Sequence, residues 1–318
     1  MDYTIFDAHC DTLSKLTDFG GGLENNSFHV DLERIGKYQG GYVQVFAAFV
    51  DKMNSKVPPL QRVISLADTY FREIEKNSAG IAHCETGSDI ENALKQGKCA
   101  AVLSVEGGEV LEGRIENLRI LSRLGVRAMT LTWNYSNELC DGVGEVRGAG
   151  LTEFGKKVVS EMNRLGMIID VSHISVKGFW DVIETSRCPI AATHSNAYAL
   201  KAHPRNLSDE QIKAIIENGG VIGASIYPEF VSDGVCRAAD IIRHIEHILA
   251  LGGEENVGFG SDFDGIDRTP DDIRGAEEMY RLIDEMLRLG YSETVIKKIT
   301  AENFLRLFDA AADSKIRA

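Results

Sequence analysis

Residues 4–12 read TIFDAHCDT, an apolar run that ends in an imidazole, His9, and a carboxylate, Asp11, one residue apart. Alternate side chains of a β-strand share a face, so His9 and Asp11 are expected on one side and Ala8, Cys10 and Thr12 on the other. Two metal-ligand types would then converge at a strand end. A single His-x-Asp pair is a weak signal, because a polar strand end in water gives the same letters.

Seven further apolar runs decide the fold. They are GYVQVFAAFV (41–50), CAAVLSVEGG (99–108), VRAMTLTWN (126–134), GMIIDVSHIS (166–175), PIAATHSNA (189–197), GGVIGASIY (219–227) and NVGFGSDFDG (256–265). Such near-continuous apolarity suits parallel strands covered by helices on one side and packed side chains on the other. Between them lie amphipathic stretches such as VISLADTYFREIEK, LTEFGKKVVSEMNRLG and ADIIRHIEHILALGG. Several close on Gly, and Ser208 with Gln211 has the capping-box spacing. Eight strands alternating with helices, roughly 36 residues apart, predict a (β/α)8 TIM barrel. Nothing reads as a linker, so one domain over residues 1–318 is expected, with a helical segment at 292–310 packing outside the barrel. The loops at 18–30 and 134–150 follow strands and are expected over the barrel mouth.

The formal net charge of −14 argues against binding to nucleic acid or anionic membranes, which needs clustered Lys and Arg. No apolar run approaches the length of a membrane span, and no secretory leader is recognised. Six cysteines without a Cys-x-x-Cys pair fit a reducing compartment, which makes cytoplasmic the expected location, and most read as small buried apolar residues.

With the strands placed, His9 and Asp11 end the first, Glu106 the third, His173 the fifth, His194 the sixth and Asp262 the eighth. These positions converge at the C-terminal face of a barrel, where this architecture carries its chemistry. Three imidazoles and three carboxylates suit zinc or another divalent metal. They exceed what one catalytic zinc takes, so two metals bridged by Glu106 are expected. His29 and His83 fall outside this pattern, and His244 and His247, on a helix, read as surface.

In this order, DAHCDT, SVEGG, DVSHIS, THSNA, HPRN and GFGSDFDG resemble the membrane or renal dipeptidase family of zinc peptidases, within the amidohydrolase superfamily. The resemblance implies two zinc ions per chain and hydrolysis of dipeptides by a metal-bridging hydroxide, including dipeptides with a C-terminal D-residue. It implies that His9 and Asp11 hold one ion, His173 and His194 the other, and that Glu106 bridges. Asp262 would take the proton from the bridging water, and Arg205 in HPRN, with Tyr227, would bind the substrate carboxylate. Where mammalian relatives place a His after the fourth strand, Trp133 stands here, so Asn134 or the metal alone would polarise the carbonyl. The lack of a leader, a lipid-anchor tail and an ectodomain disulfide pattern resembles bacterial intracellular members. A homodimer is compatible with the sequence and not specified by it. The competing readings are another amidohydrolase reaction, such as lactam or lactone opening or deacylation, and a non-catalytic metal-binding barrel.

Overall fold

The computed structural model describes residues 2–51 and 56–316. Nine strands lie among them: β1 (Ile5–Cys10), β2 (Tyr42–Phe49), β3 (Ile81–His83), β4 (Cys99–Glu106), β5 (Val126–Thr130), β6 (Ile168–Asp170), β7 (Ala191–Ala192), β8 (Val221–Ala224) and β9 (Val257–Phe259). All pair in parallel in the order β2-β1-β9-β8-β7-β6-β5-β4, and a β2–β4 ladder from Val43↔Ala100 to Phe49↔Glu106 closes the ring of eight. The chain is a (β/α)8 TIM barrel. Each of the eight apolar runs supplies one barrel strand. The strand not expected is β3, three residues long, which pairs with the start of β4 on the edge that β5 takes further along. Three residues are too few to carry a hydrophobic period.

The helices arise where the periodicity places them, for example Pro59–Lys76, Glu153–Leu165, Asp209–Asn218 and Ala238–Ala250. Ser208 accepts from Gln211 N while Gln211 Oε1 accepts from Ser208 N, the reciprocal capping box. Their apolar stripes cover the outer faces of the strands, where Phe46, Leu103, Met129, Ile222 and Phe259 are buried.

The inner faces form a second apolar cluster, and here the structure corrects the expected position of the C-terminal segment. Phe6, Val45, Val102, Ile168 and Val221 point into the barrel and pack with Phe304, Leu307 and Phe308 of the helix Asn303–Ile316. Phe6 and Phe304 stack with centroids 5.1 Å apart, and Phe308 lies 5.5 Å from Phe6. The segment therefore closes the floor of the barrel. The reason is volume: Ala8, Ala100, Ala128 and Ala191 leave the lower interior too empty for native packing, and two Phe rings fill it. At the upper end the strands crowd instead, and a Cβ on Gly260 would run into the Thr193 carbonyl.

Phe304→Ala is expected to cost about 3–5 kcal/mol of unfolding free energy in denaturant titration, the usual cost of truncating a buried Phe. A loss below about 1 kcal/mol would show that the floor collapses freely around the gap.

Candidate metal centre

The sheet register aims the first two side chains. Opposite β2, Asp7 pairs with Gln44 and Cys10 with Phe46, so three steps on β1 match two on β2: a β-bulge. Phe6 and Ala8 point inward, and strict alternation would next send Cys10 inward and His9 outward. The bulge instead turns Cys10 into the outer core and leaves His9 facing the axis. Ala8 and Cys10, expected on one face, thus part company. Asp11 follows at the N-cap of the helix Thr12–Phe19 but makes no side-chain cap bond, and its carboxylate turns to His9 instead.

Glu106 is the last residue of β4 and keeps step with the inward-pointing Ala100 and Val102. The other three lie past their strands, in the loops after β6, β7 and β9. His173 and Asp262 adopt φ of 67° and 65°, a left-handed backbone uncommon outside glycine. Buried carboxylates hold these turns. Asp170 Oδ1 accepts from Ser172 N and Thr193 N, at 3.0 and 2.9 Å, and its Oδ2 from the hydroxyls of Thr130 and Thr193, at 2.6 and 2.7 Å. Asp7 likewise accepts from Ser261 N and Oγ, at 2.8 and 2.6 Å, just before Asp262. The 134–150 loop adds its own clamp, with Val143 N donating to the His173 carbonyl at 2.7 Å.

The six expected residues meet at the mouth. Glu106 Oε2 lies 3.3 Å from His9 Nε2, its Oε1 lies 3.0 Å from His173 Nε2 and 3.8 Å from His194 Nε2, and Asp11 Oδ2 lies 3.4 Å from His9 Nε2. Their ligand atoms group in three overlapping triads: His9–Asp11–Glu106, Glu106–His173–His194 and His9–His194–Asp262.

The hydrogen bonds behind the imidazoles test whether a cation fits. His173 Nδ1 is 2.7 Å from Asn134 Oδ1, which only accepts, so Nδ1 carries the proton. Thr193 Oγ1 donates to Asp170 and must accept from His194 Nδ1, 2.9 Å away. Both rings therefore present bare Nε2 lone pairs, and these face each other at 2.8 Å. That approach is favourable only with a cation beside it. His9 Nε2 and Asp11 Oδ1 are buried without hydrogen-bond partners, as ligands of an ion would be. The donor set fits divalent metal.

The electrostatics agree. Burial lowers His194 well below the ordinary imidazole range and lowers His173 to about 4. Burial raises Asp11 to about 6 and Asp262 to about 8. Burial opposes charge on His9 and Glu106 too, but their mutual attraction wins, so His9 rises well above its usual value and Glu106 falls well below.

Beside this centre opens a cleft of about 740 Å³, a size suited to a small-molecule ligand. Asn134 and Tyr227 line it, and Tyr227 packs its ring edge on Phe230. Arg205 sits behind the lining, buried, with Nη2 donating to the His194 carbonyl at 3.1 Å, its guanidinium 5.2 Å from the Phe230 ring, and Nε without a partner. Burial lowers it to about 10.

Sequence reading missed the supports. Asp7, Asp170, Thr193 and Ser261 each stand within three residues of an expected ligand, and that proximity was their one signal. His244 corrects the surface expectation: it is 1% exposed, accepting from Ala197 N at 3.1 Å and donating to the Val231 carbonyl at 2.9 Å. His29 brackets the site from the 18–30 loop, its N donating to Asp264 Oδ1 and its Nδ1 accepting from Asp264 N.

A parallel barrel with this donor set at its C-terminal mouth defines a metal-dependent hydrolase. The family model of the membrane dipeptidases (peptidase family M19) matches residues 1–318, and the chain belongs to that family. An uncharacterized Klebsiella pneumoniae protein from the pqqA 5′ region is 36% identical over 249 residues, 74% of this chain and 92% of that one. A metallopeptidase from Rhodobacter sphaeroides, crystallised with a phosphinate mimic of the dipeptide L-Ala-D-Ala, superposes with a TM-score of 0.89 at 26% identity, covering 98% of this chain and 100% of that one. A metallopeptidase crystallised as dipeptidase AC gives a TM-score of 0.89 at 27% identity, covering 98% and 99%. The protein is accordingly a hydrolase of peptide bonds that uses divalent metal. No helix among the described residues is long and apolar enough to cross a membrane.

Thr193→Val keeps the shape but removes the acceptor that fixes the His194 tautomer. Metal affinity should fall about 10- to 100-fold in chelator competition, the usual worth of such a support. Unchanged affinity would mean that His194 is oriented by something else.

Proposed function

We propose that the chain is a zinc-dependent dipeptidase with two metal ions at one centre, and that the whole chain acts as one catalytic unit. The observation that carries this reading is the setting of Glu106, whose Oε2 is 3.3 Å from His9 Nε2 and whose Oε1 is 3.0 Å from His173 Nε2. One carboxylate can then serve two ions, His9 and Asp11 completing one side and His173 and His194 the other. A zinc pair supplies Lewis acidity and lowers the pKa of a coordinated water toward about 7.

The chain's own residues do the rest. Asp262, beside His9 and His194, takes the proton of the attacking water and returns it to the leaving amine. Arg205, with its unpartnered Nε, and the Tyr227 hydroxyl receive the free carboxylate of the dipeptide. Asn134 orients His173 through Oδ1 and keeps its amide N–H groups for the substrate carbonyl, where Trp133 offers no imidazole. The mimic of L-Ala-D-Ala in the Rhodobacter sphaeroides enzyme supports tolerance of a C-terminal D-residue. Six unpaired cysteines suit the cytoplasm.

The decisive experiment couples elemental analysis to amino-acid release from L-Xaa-L-Xaa and L-Xaa-D-Xaa panels. Two zinc ions per chain, loss of the pair in Glu106→Ala, and release of both amino acids are expected. One ion at saturation would overturn the two-metal reading, and turnover of lactones or acyl amides without dipeptides would overturn the substrate.

Asp262→Asn should keep the metals and lower kcat by about 10²–10⁴-fold, the worth of a positioned acid or base. A metal-loaded variant turning over at the wild-type rate would move the proton transfer elsewhere.

A further inference from the structure

The cleft has two unlike walls. Around the ring of eight strands, β2 and β7 lie diametrically opposite, four steps apart in either direction. Arg205 belongs to the loop after β7, and Phe49 is the last residue of β2. Phe49 and Trp133 both line the cleft and both are half-buried. They meet edge to face with centroids 5.3 Å apart, bridging the mouth over the end of β4, and Tyr135 supports the far side of Trp133 at 5.7 Å. Val57 extends this surface and is 44% exposed. A half-exposed aromatic pair at the rim of a buried polar centre leaves apolar area in water, and a ligand that covers it is favoured.

Two cations also line the cleft, and each has a partner of its own. Arg62 is held by Asp18 through two bonds, at 2.6 and 2.7 Å, and so is neutralised as an anion receptor. Lys15 lies on the helix after β1, with its ammonium 5.9 Å from the Phe19 ring.

We propose that Phe49 and Trp133 form a specificity wall that receives the side chain of the substrate's N-terminal residue and selects large apolar side chains there. The proposal rests on the dipeptidase reading. A short substrate with its carboxylate at Arg205 and its scissile carbonyl over the Glu106 centre would point its other end toward Phe49, on the strand opposite β7, and Trp133 packs against that ring. Two rings inclined at 66° make an apolar corner that an aromatic or branched aliphatic side chain covers and that glycine leaves wet.

Two measurements test it. The first compares kcat/KM for L-Phe-L-Ala, L-Leu-L-Ala, Gly-L-Ala and L-Asp-L-Ala in the zinc-loaded wild type and in Trp133→Ala. The wild type should prefer Phe or Leu over Gly by roughly 10- to 100-fold, within the range that apolar pockets discriminate. In Trp133→Ala that ratio should fall toward one. The ratio is the readout because general damage to the centre lowers both substrates alike. A flat wild-type profile, an unchanged ratio in the variant, or a preference for Asp, which would assign the side chain to Lys15, overturns the proposal.

The second measurement does not depend on turnover. The chain has two tryptophans, so Trp180→Phe, on the surface helix Val176–Thr185, leaves Trp133 as the sole tryptophan fluorophore. In zinc-loaded protein that also carries Asp262→Asn, which keeps the metals and turns over slowly, L-Phe-L-Ala and L-Leu-L-Ala should shift its emission at concentrations where Gly-L-Ala does not. Equal responses to all, or none to any, overturn the wall. Emission shifts without hydrolysis of any dipeptide by the zinc-loaded protein would retain the wall and overturn the dipeptidase reading.

Discussion

The structure turns on the Glu106 carboxylate, taken out of water and set among three imidazoles. A buried charge of this kind costs several kcal/mol unless it is met by opposite charge in good geometry. Here the compensation comes from imidazoles on three barrel strands or their loops, β1, β6 and β7, so no local segment can supply it. The closed ring, the crowding at Gly260 and the bulge in β1 all serve to bring those contributors within a few ångströms of one another.

Behind that carboxylate stands a layer whose polar groups are paired with each other. Thr130, Asp170 and Thr193, from neighbouring strands, exchange hydrogen bonds beneath His194 and fix which of its ring nitrogens carries the proton. Apolar residues at these positions would fill the space as well. They could not set a tautomer, and imidazoles free to flip would present N–H where a lone pair is required.

Much of this was legible in the sequence. The eight strands and the convergence of His9, Asp11, Glu106, His173, His194 and Asp262 follow from apolar runs ending in ligand-type residues, because strand order and barrel closure fix where such ends meet. What escaped was what periodicity does not encode. The β1 bulge depends on how two strands slip past one another, so the face of His9 was assigned by a rule that the register breaks. The spacing of His244 and His247 places them on an outward helix face, yet the two ring nitrogens of His244 satisfy backbone groups of two loops. The C-terminal helix has an amphipathic stripe that reads the same whether it covers the outside of a sheet or fills a barrel from below.

That last feature governs how the chain can be made. The rings that fill the lower barrel, Phe304 and Phe308, follow all nine strands in the sequence. During synthesis from the N-terminus, the strands emerge with an inner face that has nothing to pack against at one end. An open barrel exposes Phe6 and its neighbours to water, and its mouth is no more rigid than the ring below it. The lower interior is therefore completed only when the final helix is available, so the last part of the chain to emerge closes the end of the barrel farthest from the chemistry.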